Sequence, residues 1–392
     1  MVYRLEKNVI LQNTFLLILF FASATFYTWK YNVNMIVAIG FFLYGLWEKP
    51  SKLSRGWAIS LFSVFYLYAA FNQYGNVNLF GEIMTLLPLT LFFISDDNWA
   101  RIYEKYVFVY CLALIPSLLL YFIVIWGDVN LPFKVISPLN ETKDYNYIAY
   151  PFLVVVDNLQ RMRFCGYFDE PGVIGTFSGV FLLTSKMNLK DWKLWVLLIS
   201  GIFAFSLYFY VLIFLYVTIF GSMKTKLVTG VLVFVAITYL IVGDSPFNEL
   251  ILDRMTYDSS DGFSGDNRTD YRFDAFYEQF WYTEMLWFGY GRDYCLLVAD
   301  TGGASYKHLI VDFGIIMYLF FIIGFFLFYS SYKLSKKDNL LMLLIFVSII
   351  FQRPFIFHMP YLFLLIAPAA YLASKKGDNV LCKQPFLDKD HR

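Results

Sequence analysis

The chain alternates between long apolar runs and short polar interruptions. Apolar runs lie near 9–28, 32–47, 56–71, 78–94 and 106–126, then near 171–187, 191–205, 207–222 and 226–243, and finally near 305–329, 339–352 and 355–373. A helix of about 20 apolar residues crosses a bilayer, and fewer suffice where the membrane thins. The pattern therefore predicts one all-α polytopic membrane domain over 1–392, with about 12 transmembrane helices. Two longer polar stretches, approximately 127–169 and 244–304, read as large loops. The run 192–220 would measure roughly 43 Å as a single helix, too long for one ordinary span. Lys186, Lys190 and Lys193 flank its start and Lys224 and Lys226 follow it. These charges want the same side, which predicts two helices split at Ser206.

Charge placement orients the array. With the N-terminus inside, the inner connections carry Arg4 and Lys7, Lys49, Lys52 and Arg55, Arg101 and Lys105, and then the lysines at 186–193, 224–226 and 333–337 and a basic tail. Outside the two large loops, the outer connections hold only Lys30 and Arg353. Short cytoplasmic loops collect Lys and Arg, so both termini are expected in the cytoplasm and both large loops outside. Composition agrees: of 392 residues, 59% are hydrophobic, 21% aromatic and 16% charged, where soluble domains carry about a quarter charged. A net charge of +1 builds no field for nucleic acid. The first apolar run is too long for a cleavable signal core. The small cytoplasmic face, without Walker A or G-x-G-x-x-G, places any chemistry outside or within the membrane. No C-x-x-C pair marks a zinc or redox site. Cys165 and Cys295 both fall in outer loops, where a disulfide is conceivable and incidental free thiols are the default. The Asp388-Lys-Asp390 triplet reads as a solvated tail.

Candidate chemistry gathers in the outer loops. The first ends Arg161-Met-Arg163-Phe-Cys-Gly166-Tyr-Phe-Asp169-Glu170-Pro171-Gly172. Pro171 suits a first helical turn, which puts Glu170 at a helix N-terminus. An acid there is a plain dipole cap, or, beside Arg161 and Arg163, part of a site. Gly166, Gly172, Gly175 and Gly179 permit close backbone approach. The second loop reads as an amphipathic helix from a cap at Asp266 or Asn267. Arg268 and Arg272, with Tyr271 between them, offer forked donors that suit a phosphate or diphosphate; pairing with Asp270 and Asp274 is the bland alternative. Phe273, Phe276, Tyr277 and Phe280 form an aromatic stripe that would lie against the membrane surface or the bundle. Gly289-Tyr-Gly291-Arg292 reads as an interfacial turn or a substrate contact. His308 and Asp312 share one face of the helix that follows, and ionisable groups there are candidates for function. A carboxylate that orients an imidazole is a general-base arrangement; a headgroup-level histidine is the plainer one. Glu82 is a helix-end charge and His358 packs within the last span.

The run Arg163-Phe-Cys-Gly-Tyr-Phe-Asp-Glu170-Pro171-Gly172 resembles the R-x-x-G-x-F-x-E-P-G segment of bacterial O-antigen and capsule polymerases of the Wzy type. The later order Arg268, Gly289-Tyr-Gly291, His308, Gly314 is similar to the order shared by those polymerases and the O-antigen ligases. Two departures stand out: Leu309 occupies the place where ligases often carry Asn, and Ser206-Leu207 lacks the Arg common after the seventh span. The resemblance implies a metal-independent glycosyltransferase of GT-C kind in the bacterial inner membrane, working without a cofactor. Its substrate would be an oligosaccharide on undecaprenyl diphosphate, its surroundings membrane lipid, and its partner a chain-length regulator. Glu170, Arg268 and His308 would be catalytic, with Arg161, Arg163, Arg272, Tyr271, Gly289, Gly291, Arg292 and Asp312 around the substrate. Arg268 would stabilise the departing diphosphate, and His308 or Glu170 would act as base. A ligase, or a transporter or flippase of lipid-linked sugars, is the rival expectation.

Overall fold

The computed structural model describes residues 55–75, 79–137, 146–157, 159–242, 257–258, 262–263, 271–298 and 305–381, with Gln12, Asn13, Leu16, Leu19 and Phe20. The molecule is mostly helical, at 74%. Among the described residues two helices are long and apolar enough to cross a membrane, Asp96–Trp126 and Tyr306–Ser331. The expected spans at 9–28 and 32–47 lie outside the described residues, apart from the five named, which are helical.

The helices are α1 (Gly56–Phe71), α2 (Leu79–Leu86), α3 (Asp96–Tyr121), α4 (Pro171–Thr184), α5 (Trp192–Phe203), α6 (Leu207–Phe220), α7 (Met223–Val242), α8 (Tyr271–Phe280), α9 (Tyr306–Ser331), α10 (Lys336–Gln352) and α11 (Met359–Leu381). Several bounds move from the expected ones for local reasons. α2 gives way to a 3-10 helix over Leu87–Phe93, where Pro88 cannot donate to an α-helical ladder. α3 starts ten residues before the expected 106, with Asp96 and Asp97 in its first turn, where acids suit the helix dipole. It closes in a π turn over Phe122–Trp126. α11 begins at Met359 instead of 355, because Arg353-Pro354 opens a non-helical link through His358. The split at Ser206 is real: α5 and α6 have 12 and 14 residues, and residues 204–206 form the turn between them.

One aromatic core binds the bundle. Trp99, Tyr103, Tyr106 and Tyr110 repeat along the buried face of α3. They meet Phe177 and Phe181 of α4 and Phe363 and Tyr371 of α11, with Tyr106 4.8 Å from Phe363 and Tyr110 5.4 Å from Phe181 between ring centroids. Phe62 and Phe65 of α1 pack edge-on or tilted against Phe325 and Phe321 of α9 at 4.9 and 5.0 Å. Such ring pairs add to the area they bury. Gly175 and Gly179 of α4 lie against Ser206 and Leu212 of the turn and helix of the hairpin, so small residues let α4 and α6 approach.

The two ends of the bundle differ. At one, buried Arg55 pairs with Asp96, donates from Nε to Ser331 at 3.1 Å and stacks over Tyr332 at 4.1 Å. This ties the starts of α1 and α3 to the end of α9. Lys186–Asp338 at 2.7 Å and Lys375–Glu104 at 2.8 Å close the same end. The opposite end carries a feature that corrects the all-α expectation: Lys134–Ile136, Tyr147–Tyr150 and Leu153–Val156 form an antiparallel sheet in the order β1-β2-β3. The sequence Tyr-Ile-Ala-Tyr-Pro-Phe-Leu-Val-Val-Val is a β-branched and aromatic hairpin around a Pro-Phe turn. Cys165 is buried under this sheet, while Cys295 is buried among Phe273, Phe280 and Val311. Neither cysteine is in a disulfide, and each sits in its own cluster.

Candidate functional site

The sheet-bearing end gathers the candidate chemistry. Glu170 caps α4 with an extended backbone, and Pro171 takes the first helical position. Its carboxylate accepts a hydrogen bond and ion pair from Arg353 Nη2 at 2.5 Å. Arg353 ends α10, 183 residues away in the chain, and its side chain is 8% exposed against 36% for Glu170. Burial opposes the guanidinium charge, but Tyr361, the Glu170 carboxylate and Asp169 together raise Arg353 above the ordinary arginine value. Its Nε is buried with no hydrogen-bond partner among the described residues. A Cβ on Gly172 would fall 2.6 Å from Arg353 Nη2, so the guanidinium lies directly on the first turn of α4.

A second cation sits nearby. Arg292 donates to Thr85 Oγ1 on α2 and stacks over Phe357 at 4.8 Å. Phe357 belongs to the 353–358 link. His358 of that link is exposed at its side chain, yet the protein packed around its ring, together with the Arg292 charge, pushes its pKa below the usual histidine value. Its ring packs on Phe355 at 5.1 Å. The link thus carries Arg353 against Glu170 at its start and Phe357 and His358 beside Arg292 at its end.

Arg292 is held by an interlock of glycines. α9 is broken at Gly314, whose φ is +73° and ψ 168°. Tyr290 and Gly291 donate backbone N–H groups to the carbonyls of Val311 and Asp312, both at 2.9 Å, and Ile316 N donates to Trp287 O at 3.2 Å. The strip continues to the end of α1, where Arg292 N donates to Asn72 O and Tyr74 N to Arg292 O, each at 2.8 Å. A Cβ on Gly289 would meet Asp312 O at 2.4 Å, and one on Gly314 would meet Phe288 N at 2.4 Å. Gly289 and Gly291 therefore serve backbone approach within the protein.

The other predicted residues divide. α8 packs its aromatic stripe as expected: Phe273 and Phe280 are 1% exposed, and Phe273 stands edge-on to the His308 ring at 4.5 Å. Tyr271 opens α8, and Arg272 is exposed on it. Arg268, and the expected cap at Asp266 or Asn267, lie outside the described residues. Asp274 pairs with Lys307 at 2.5 Å. Asp312 accepts the backbone N–H of Cys295 at 3.0 Å, so its carboxylate fastens the Tyr294–Leu297 turn, a different task from orienting His308. Arg161 is exposed at the end of a 3-10 turn, whereas Arg163 is buried and donates from Nε to Ala204 O at 3.2 Å. That bond fastens the first loop to the α5–α6 turn. Glu82 lies in the first turn of α2, as a helix-end charge should. Among the described residues no three His, Cys, Asp or Glu side chains come together to hold a metal ion.

Arg353 is the residue that local sequence reasoning passed over. Its signal was there: it is one of two basic residues in the short connections expected to face outward, and Arg near an apolar span is costly. No family model, curated protein or solved structure matches the chain.

Proposed function

We propose that this chain is a polysaccharide polymerase: a multi-pass glycosyltransferase that joins undecaprenyl-diphosphate-linked repeat units on the outer face of the bacterial inner membrane. On this reading about twelve spans cross the bilayer in a GT-C-like array and both termini are cytoplasmic. The basic Arg55 end, with Lys186, Lys333 and Lys375, suits the cytoplasmic side. The Glu170 end then faces outward.

The observation that carries the proposal is the Glu170–Arg353 pair at the N-terminus of α4, with Arg292 and His358 grouped at the same end of an apolar bundle. In the reaction a sugar hydroxyl of one unit attacks the anomeric carbon of another. The new glycosidic C–O bond forms as the C–O bond to the diphosphate breaks, and the hydroxyl proton passes to a base. Two charges develop that need fixed partners. Cations held in place stabilise the leaving diphosphate without reorganising; Arg353 and Arg292 do this here, joined by Arg268 and Arg272 from the second loop. Glu170 or His308 takes the proton. No metal is required, because guanidinium forks suit phosphate oxygens. A chain-length regulator protein is the expected partner.

The break of α9 at Gly314 favours a second reading, a flippase for lipid-linked sugars, since transporters build sites on discontinuous helices. One experiment separates the two. The gene is deleted in its host and restored as wild type, Glu170→Ala or Arg353→Ala, and surface glycan is resolved by length. The polymerase reading expects single repeat units on the surface in the deletion and in both variants, with the full ladder restored by wild type. Surface glycan lost altogether in the deletion points to the flippase, and a full ladder without the protein removes both readings.

A further inference from the structure

We infer that Glu170 is an internal stand-in for a phosphate group, and that an incoming phosphate or diphosphate displaces it from Arg353 and thereby frees it for proton transfer. This rests on the polymerase reading and deepens it. Three observations on the pair point this way. The two partners are unequally buried: the Arg353 side chain is 8% exposed and the Glu170 side chain 36%. The carboxylate is thus the half with room to leave, while the guanidinium stays. Arg353 is also incompletely served by the pair. Nη2 reaches Glu170, but buried Nε makes no hydrogen bond among the described residues. A guanidinium has five N–H donors in a rigid fork, and a tetrahedral phosphate with several acceptor oxygens engages such a fork more fully than one carboxylate oxygen does. Finally, the pair sits against the first turn of α4, where Gly172 keeps the backbone within reach of the guanidinium. An anion there meets the N–H groups of a 14-residue helix together with Arg353.

Exchange links two events that the reaction needs in order. While Arg353 holds Glu170, the carboxylate is a poor base, because the cation stabilises its charged form. When the diphosphate takes Arg353, Glu170 swings clear with that stabilisation removed and accepts the proton of the attacking hydroxyl. Base strength then rises only when a donor substrate is in place. Arg353 is a positioning residue for Glu170 before substrate arrives and a diphosphate ligand afterwards.

A competitor that occupies a site lowers apparent affinity by the fraction of time the site is free, so a latch closed about nine-tenths of the time weakens binding about tenfold. Removing the Glu170 charge must therefore tighten anion binding. The full-length protein in phosphatidylcholine nanodiscs is titrated with inorganic pyrophosphate and, separately, with farnesyl diphosphate, as wild type, Glu170→Gln and Arg353→Gln. Thermal melts verify that each variant is folded, and Arg353→Lys serves if Arg353→Gln is not. The expected result is about tenfold tighter binding in Glu170→Gln and weaker binding than wild type in the Arg353 variant. Tightening with farnesyl diphosphate alone identifies a lipid-linked diphosphate as the ligand; tightening with both identifies the anion itself. Unchanged or weaker binding of both probes in folded Glu170→Gln overturns the exchange. If that variant still yields single repeat units in the host, the polymerase reading stands without the exchange. Tighter binding with a full glycan ladder would instead keep the anion site and overturn Glu170 as the base.

Discussion

Replacing Gly314 by Ala tests whether the broken helix is held by backbone interlock. The site combines φ +73° with ψ 168°, a region open in practice to glycine, and a side chain there costs about 1–3 kcal/mol. The added Cβ would also stand 2.4 Å from Phe288 N and from Trp287 C and O. These are backbone atoms that cannot rotate away, so α9 and the Trp287–Arg292 strip must separate. Separation puts at risk the bonds Tyr290 N to Val311 O, Gly291 N to Asp312 O and Ile316 N to Trp287 O. At roughly 0.5–1.5 kcal/mol each, with the backbone cost added, the variant should lose about 3–7 kcal/mol if all three open. Thermal melts of purified protein in nanodiscs should show a fall of several degrees in Tm. The control is Gly230→Ala on α7, where nothing lies within 4 Å of the new Cβ and the helix gains propensity; its Tm should hold or rise slightly. A Gly314→Ala melt within about a degree of wild type, on this scale of effects, would refute the interlock.

Two further outcomes follow from polar groups at the same end. Asp312→Leu leaves the Cys295 N–H without its acceptor and should cost about 1–3 kcal/mol, whereas Asp312→Asn keeps an oxygen there and should cost less; the order of the two Tm values checks it. His358 is exposed at its side chain, but the protein packed around its ring and the Arg292 charge lower its pKa, so below about pH 6.5, the unperturbed value, the unfolded chain binds the proton more readily than the folded one. The stability this neutral imidazole contributes is full above that pH and is lost as pH falls through it. Wild type should therefore lose more Tm between pH 7 and pH 5 than His358→Gln does, and equal losses would remove His358 as the cause.

Local patterns in the chain carried much of this architecture. Apolar period and run length located α1, α3, α4 and α9, because a helix in an apolar setting must bury or face lipid along its whole surface. Lysines on both flanks of 192–220 were enough to split that run at Ser206, since charge placement is a property of sequence position. Helical spacing put Phe273, Phe276, Tyr277 and Phe280 on one stripe, of which packing buries Phe273 and Phe280. Pro171 and Glu170 wrote the start of α4. What the tertiary structure alone decided are the pairings between distant positions. Arg353 finds Glu170 across 183 residues, and nothing local to either residue names the other. Gly289 and Gly314 are turn-like in isolation and become an interlock when a strip of backbone is laid into a helix break. Asp312 lies one helical turn from His308, which suggested a base pair of residues, yet its carboxylate turns to Cys295 N. Periodicity reports which face a side chain occupies; which partner meets it there depends on how the helices cross, and that is settled by packing the whole bundle.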